Sequence, residues 1–217
     1  MHSLRLVVAD DHPLMRRGIC GLLEAEPGWE VVAKASNGRE AIDAVSKSKP
    51  DVLVIDLAMP ELNGLTATRE ILRLFPKLGV VLLTMHNTDQ SVREVLESGA
   101  RGYVLKSDAE QDLVAAVKAV AAGKPFFTAN ITEIVLKGYL NRTATSEPAK
   151  ALSGLTTRER QVVQLLVEGK GNKDVALAMR LSVKTVEAHR SNINRKLAIR
   201  TTSDLVRYAV RNGIVSA

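Results

Sequence analysis

Near the middle of the first half, Val52, Leu53, Val54 and Ile55 form an unbroken apolar run closed by Asp56. A strand with one wet face alternates apolar and polar residues, whereas a run without alternation is covered on both faces. This run is therefore the expected centre of a sheet with a layer on each side. Strand-length runs at 4–9, 30–35, 80–84 and 101–105 flank it in the chain. Segments of helical spacing at 13–25, 38–48, 65–75, 91–98 and 109–122 alternate with them, and Asn37 is placed to cap the second helix. Five strand–helix units in succession give an α/β fold with a parallel sheet and helices on both faces.

That pattern stops near residue 122 of 217, and the charge changes with it. Residues 1–125 carry 15 Lys and Arg against 17 Asp and Glu, whereas 151–217 carry 12 against 5. An acidic front and a basic back point to two domains with different tasks, the second a candidate polyanion binder. With 46% hydrophobic and 25% charged residues, the chain is globular rather than disordered. A single cysteine, Cys20, excludes an intrachain disulfide and a four-cysteine zinc site, and fits a reducing cytoplasm. The N-terminal apolar run is too short for a signal-peptide core. No stretch approaches the roughly 18 apolar residues of a membrane span.

In open parallel sheets, ligands bind at the carboxyl ends of the strands. Those ends carry Asp10 and Asp11, Asp56, Thr84 and Lys106. Each alone has a plain explanation: aspartates cap and turn, and lysines are solvated. Together they put three carboxylates, a hydroxyl and an ammonium into one pocket. Three close carboxylates raise one another's pKa unless a cation joins them, and Mg²⁺ is the hard ion that takes few protein oxygens. The hydroxyl and ammonium then await an anion, and a phosphoryl group fits. Asp56, alone at the end of the central strand, is the expected nucleophile.

Asp10 and Asp11, then Asp56-Leu57-Ala58-Met59-Pro60 with Gly64, then Thr84 and Lys106, resemble the receiver domain of two-component response regulators. The resemblance covers about residues 4–122 and implies a flavodoxin-like fold. It implies that Asp56 accepts phosphate from a phosphohistidine on a sensor histidine kinase. It implies that Asp11 binds Mg²⁺ directly and Asp10 largely through water, with Asp56 and the backbone carbonyl of Ala58 as further ligands. Thr84 and Lys106 would hold the phosphoryl oxygens, and Tyr103 matches the aromatic that swings with the threonine. Three departures stand out: Met85 where a small residue is common, Ser107 where a proline is common, and Ala58 paired with His86 at the positions that tune hydrolysis. With Ala58 too small to orient water, the lifetime of the aspartyl phosphate is expected to depend on His86. Phosphatases of the haloacid dehalogenase type also pair an aspartate nucleophile with Mg²⁺. They use a second carboxylate as general acid, however, where this chain has Ala58.

Residues 128–140 have the spacing of a linker helix, and 141–154 are rich in Thr, Ser, Pro and Ala, as in a flexible tether. We expect domains at 4–122 and 152–217 with a linker at 123–151. The second domain reads as four short helices. Thr156 and Glu159 have capping-box spacing, Asn172 is placed to cap the second helix, and Ser182 the third. Helix, short turn, then a polar-faced helix is the helix-turn-helix pattern. Leu155-Thr156-Thr157-Arg158-Glu159-Arg160, Asn172-Lys173, and 182–190 with Lys196 and Leu197 resemble the LuxR-type DNA-binding domain. The whole chain thus resembles a NarL/FixJ-type response regulator, not an enzyme.

That resemblance places residues 183–197 in the major groove, with Glu187, Ala188 and Ser191 toward bases and Arg195 nearby. Glu187 is able to accept from cytosine N4, and Ala188 to touch a thymine methyl; a Glu187–Arg190 pair within the helix is the plainer alternative. Lys173, Thr185, Arg190, Lys196 and Arg200 are expected phosphate contacts, with Lys184 on the same polar face. Leu205, Tyr208 and Ala209 on the last helix are candidates either for a dimer contact or for plain core. The expected partners are a sensor histidine kinase, double-stranded DNA, a second copy of the chain and RNA polymerase, with no membrane. The expectation is a phosphorylation-gated transcription regulator in the cytoplasm; a DNA-binding regulator indifferent to phosphate is the alternative, and an RNA-binding module comes third.

Overall fold

The computed structural model describes residues 3–85, 89–128, 155–199, 201–212 and 214–215. Its first part runs β1 (Leu4–Ala9), α1 (Pro13–Glu24), β2 (Trp29–Ala35), α2 (Gly38–Ser48), β3 (Val52–Asp56), α3 (Gly64–Leu74), β4 (Gly79–Thr84), α4 (Asp89–Ser98) and β5 (Gly102–Leu105). A 3₁₀ turn (Lys106–Asp108) then leads into α5 (Ala109–Ala121), followed by β6 (Phe126–Phe127). All strand pairs are parallel, in the order β2-β1-β3-β4-β5-β6.

The central run behaves as its composition requires. Leu53 and Ile55 face a core shared with Val7, Val80 and Leu82 and with side chains of α2, α3 and α4. Val52 and Val54 face the other core, with Leu6, Val8, Val81 and residues of α1 and α5. Every residue of β3 is buried. Asn37 caps α2 by accepting from the Glu40 N–H at 2.9 Å, and Asn63 caps α3 by accepting from Thr66 at 2.9 Å. Pro13 opens α1, where its missing N–H is no loss.

The sheet has six strands, not the expected five. Phe126 and Phe127 pair with Gly102 and Tyr103 and cover the outer edge of β5. Two residues are too few to show a period, so no sequence pattern announced them.

The second part contains α6 (Thr157–Val167), α7 (Asn172–Met179), α8 (Val183–Leu197) and α9 (Thr202–Arg211) around a core of Val162, Val163, Val175, Val186, Ile193 and Ile214. Thr156 and Glu159 form the expected capping box, and Ser182 caps α8 by accepting from Thr185. Two expectations are corrected. Gly171, not Asn172, is the cap of α7; its N–H donates to Asp174, and Asn172 is already helical. Leu205 and Ala209 point into the domain's own core, so they are filler rather than a dimer surface, and Tyr208 is half-buried beside them. The expected linker helix, apart from Thr128, lies outside the described residues, as do His86 and Arg200.

Candidate functional site

β1, β3, β4 and β5 are consecutive strands of the sheet and end on the same rim, which brings the expected pocket together. Lys106 Nζ lies 2.8 Å from Asp10 Oδ2 and 2.8 Å from Asp56 Oδ2. All three side chains are buried, as is Thr84. Asp11 is partly exposed at the rim and pairs with His12 Nδ1 at 2.8 Å. Asp10 also accepts from the His12 N–H through Oδ1 and from Arg16 through its carbonyl. Carboxylate atoms of Asp10, Asp11 and Asp56 and a ring nitrogen of His12 fall within 4.8 Å of one another.

Burial pushes the Asp56 carboxyl up to about 6; Lys106 pulls it down, and Asp10 and Asp11 add repulsion. Burial works against the Lys106 charge as well, but Asp56 and Asp10 outweigh it and hold the ammonium above its ordinary range. Tyr103 is fully inside, its hydroxyl pushed up to about 12 by burial while hydrogen-bonded to Thr84. The expected aromatic therefore touches the expected hydroxyl directly.

One ammonium shared by two carboxylates leaves the three-carboxylate cluster short of positive charge. The donors are hard oxygens, the set that Mg²⁺ takes. The loop beyond Asp56 carries Ala58, whose carbonyl is the expected further ligand. Leu57 O accepts from Gly64 N–H at 3.0 Å, and Met59 O accepts from Gln164 Nε2 at 2.7 Å, so the Ala58 carbonyl stands between two pinned neighbours. Gly64 is required here: a Cβ on it would lie 1.9 Å from the Asp56 carbonyl oxygen.

The second cluster is the outer face of α8. Lys184, Thr185, Glu187, Ala188, Arg190, Ser191 and Arg195 are all exposed, as is Lys173 on α7. Arg190 does not pair with Glu187; it reaches back to Asn172 Oδ1 at 2.7 Å. Among the described residues Glu187 has no ion pair, which keeps its carboxylate available to a base edge. Thr185 Oγ1 contacts Ser182 Oγ at 2.7 Å, and Arg195 donates to Asn192 at 3.0 Å. Lys196 is committed inside its own domain, 2.7 Å from the buried Glu159. Burial disfavours that carboxylate, but Lys196 and the amide and hydroxyl of Thr156 outweigh it and hold it below its ordinary range.

Comparison with known proteins agrees with both halves. Residues 6–118 match the response regulator receiver domain, and residues 153–209 match the luxR family of bacterial regulatory proteins. The chain is a response regulator with a luxR-type DNA-binding domain. It is 37% identical to the oxygen regulatory protein NreC of Staphylococcus epidermidis, over 98% of this chain and 99% of that one. It is 34% identical to the transcriptional regulatory protein DegU of Brevibacillus brevis, over 99% and 96%. Among solved structures, RcsB of Salmonella typhimurium superposes with a TM-score of 0.71 at 27% identity, covering 96% of this chain and 97% of that one. RcsB bound to promoter rprA in the presence of BeF3- gives 0.70 at 28%, over 94% and 98%. The family is one of DNA-binding transcription regulators of two-component systems, not of enzymes.

In this response regulator the two domains touch through residues that sequence analysis did not single out. Gln164 of α6 is completely buried; its Oε1 accepts from the Asn63 N–H and from Asn63 Nδ2, each at 3.2 Å. Glu168, one turn on, accepts from the Glu61 N–H at 3.2 Å and from Gln164 Nε2 at 2.9 Å. Arg39 of α2 donates to the Ala178 carbonyl at 3.2 Å. The one available signal was an uncharged amide set inside the apolar run of α6, between Val163 and Leu165. The exposed face of α8 takes no part in these contacts.

Proposed function

We propose that Asp56 accepts a phosphoryl group from a phosphohistidine of a sensor histidine kinase, and that this gates binding of α8 to double-stranded DNA. The observation that carries the reading is the buried Lys106 ammonium held at 2.8 Å from both Asp10 and Asp56. Mg²⁺, held by Asp11, Asp56 and the Ala58 carbonyl and by Asp10 through water, would supply charge neutralisation at the transferring group. An Asp56 carboxylate oxygen attacks phosphorus in line and the P–N bond to the donor imidazole breaks. Lys106 then follows the negative charge from the carboxylate to the phosphoryl oxygens. The Thr84 hydroxyl donates to one of those oxygens, and its bond to Tyr103 ties the pocket to the β4–β5 side of the sheet. Such a two-state receiver moves only as far as phosphate favours one state over the other.

On the DNA side, Glu187, Ala188 and Ser191 read bases with Arg195 beside them. Lys173, Lys184, Thr185, Arg190 and Arg200 meet phosphates, and Lys196 does so only by sharing its bond to Glu159. RcsB is described as two dimers bound to two parallel DNAs, and a homodimer on an inverted repeat is the form we assign to this chain. With Leu205 and Ala209 used as core, the contact falls to the outer side of α9, where Val206 is exposed. We place the receiver at 4–127, past the expected 122 because β6 completes its sheet, and the second domain at 152–217; the site of action is the cytoplasm, and RNA polymerase is the downstream partner.

The test is DNA binding by the full chain, on a sequence selected from a random pool, with and without acetyl phosphate and Mg²⁺. Phosphorylation tightens binding and Asp56→Asn loses both label and response. Sequence-specific binding indifferent to phosphate would make the chain a regulator tuned by abundance or another partner.

A further inference from the structure

We propose that Gln164, a residue of the DNA-binding domain, is a positioning residue for the ion-binding loop of the receiver. The inference rests on the ion site described above. Residues 57–63 join the nucleophile's strand to α3, and the Ala58 carbonyl is the one backbone oxygen assigned to the ion. Its orientation depends on the peptide units either side of it. The unit before it is fixed within the receiver, by the Gly64 N–H on Leu57 O at 3.0 Å. The unit after it is fixed by the other domain, by Gln164 Nε2 on Met59 O at 2.7 Å.

The grip continues along the loop. Gln164 Oε1 takes both the backbone and side-chain N–H of Asn63. Asn63 in turn caps α3 through Thr66. Glu168 holds the Glu61 N–H between these points. Two side chains one helical turn apart, Gln164 on α6 and Glu168 at its C-terminal cap, therefore engage the loop at Met59, Glu61 and Asn63. A fully buried amide with both its oxygen and nitrogen used is geometrically over-determined, and leaving any of these groups unpaired is costly.

This places a coupling route on the β3–α3 side of Asp56. Thr84 and Tyr103 lie on the β4–β5 side, and no residue named in the domain contact belongs to β4, α4, β5 or α5. The DNA-binding domain thus acts on the ion's carbonyl ligand without passing through the threonine and tyrosine. Linkage makes such a coupling reciprocal in binding free energy. A domain docked through Gln164 raises ion affinity, and a bound ion steadies the docked domain by the same factor.

The experiment titrates Mn²⁺ alone into the full-length protein and follows the free-ion electron paramagnetic resonance signal. Gln164→Ala is compared with Arg39→Ala, which loosens the same domain contact far from the loop. Thermal unfolding establishes that each variant is folded. Gln164→Ala is expected to weaken Mn²⁺ binding about three- to tenfold, the range for one or two lost hydrogen bonds. Labelling by acetyl phosphate at subsaturating Mn²⁺ should slow in step, while Arg39→Ala stays within about twofold of wild type. An unchanged Mn²⁺ affinity in Gln164→Ala overturns the proposal, because a residue that merely glues domains would lower the melting temperature and leave the ion alone. Equal shifts in both variants overturn it too, since docking in general and not this amide would be responsible. Absence of Mn²⁺ binding by the wild type would sink the ion site itself, a failure distinguishable from the other two.

Discussion

The acidic pocket and the outer face of α8 are both clusters of charge, built under opposite conditions. In the pocket Asp10, Asp56 and Lys106 are all buried, so every charge must find its partner inside the protein. On the outer face of α8 the charges stand in water, and the partner we propose for them is DNA. Burial therefore makes the pocket's geometry explicit, down to two 2.8 Å contacts from one ammonium. Exposure leaves the reading face as a set of residue types in a sequence of turns. Lys196 belongs to the first kind although it lies on the helix of the second, because its partner Glu159 is buried.

Lys106→Met attacks the buried cluster hardest. Removing the shared cation leaves close carboxylates opposed, and about 3 kcal/mol of stability should be lost in metal-free buffer. Millimolar Mg²⁺ should restore part of it in urea unfolding. An unchanged midpoint would mean that the pocket does not depend on internal pairing. Next come two lysines of one helix. Lys196→Ala should cost about 1.5 kcal/mol by stranding Glu159, whereas Lys184→Ala should stay within about 0.5 kcal/mol. Lys184→Ala should instead weaken DNA binding and lower the salt slope by about 0.9. If both behave alike, the division between buried and exposed charge fails on this helix.

Glu187→Ala should leave stability untouched and relax base preference at one position by about 1 kcal/mol, read by selection from a random pool. The smallest effect is a pH dependence. Glu159 sits below its ordinary range, so its contribution is present above the unfolded pKa and is lost as pH falls through the folded one. Glu159→Gln keeps a side chain that suits a capping box but has no charge to lose. Its unfolding midpoint should therefore fall less steeply than that of the wild type on acidification below about pH 4.5.

Most of the fold was legible because its signals are local. Val52 to Ile55 announced burial on both faces, and Asn37, Thr156 and Ser182 announced helix starts three residues before the amides they bind. The pocket was legible because parallel strands deliver their last residues to one rim, so Asp10, Asp56 and Lys106 needed only the strand ends to be right. What escaped was non-local or too short. Phe126 and Phe127 form a strand only because β5 offers an edge. Asn172 has the chemistry of a cap, yet Gly171 takes that place and the Asn172 carbonyl oxygen of the side chain serves Arg190 instead. Gln164 bonds to a loop 101 to 105 residues away, and no spacing within α6 records where that loop will be.

Gly64 has a consequence of another kind. Its backbone lies so close to the carbonyl of Asp56 that a methyl group would sit 1.9 Å from the oxygen, and its N–H closes onto Leu57. Residues 57–63 are thus pinched at the base into something like a cyclic peptide. Ordering a free segment opposes folding by roughly 1–2 kcal/mol per residue in chain entropy, and a ligand that must impose that order binds correspondingly more weakly. Here folding has already imposed it. A cation arriving at this rim meets a loop closed at its base by Gly64 and held further along by Gln164, so little of its binding free energy goes into ordering the chain.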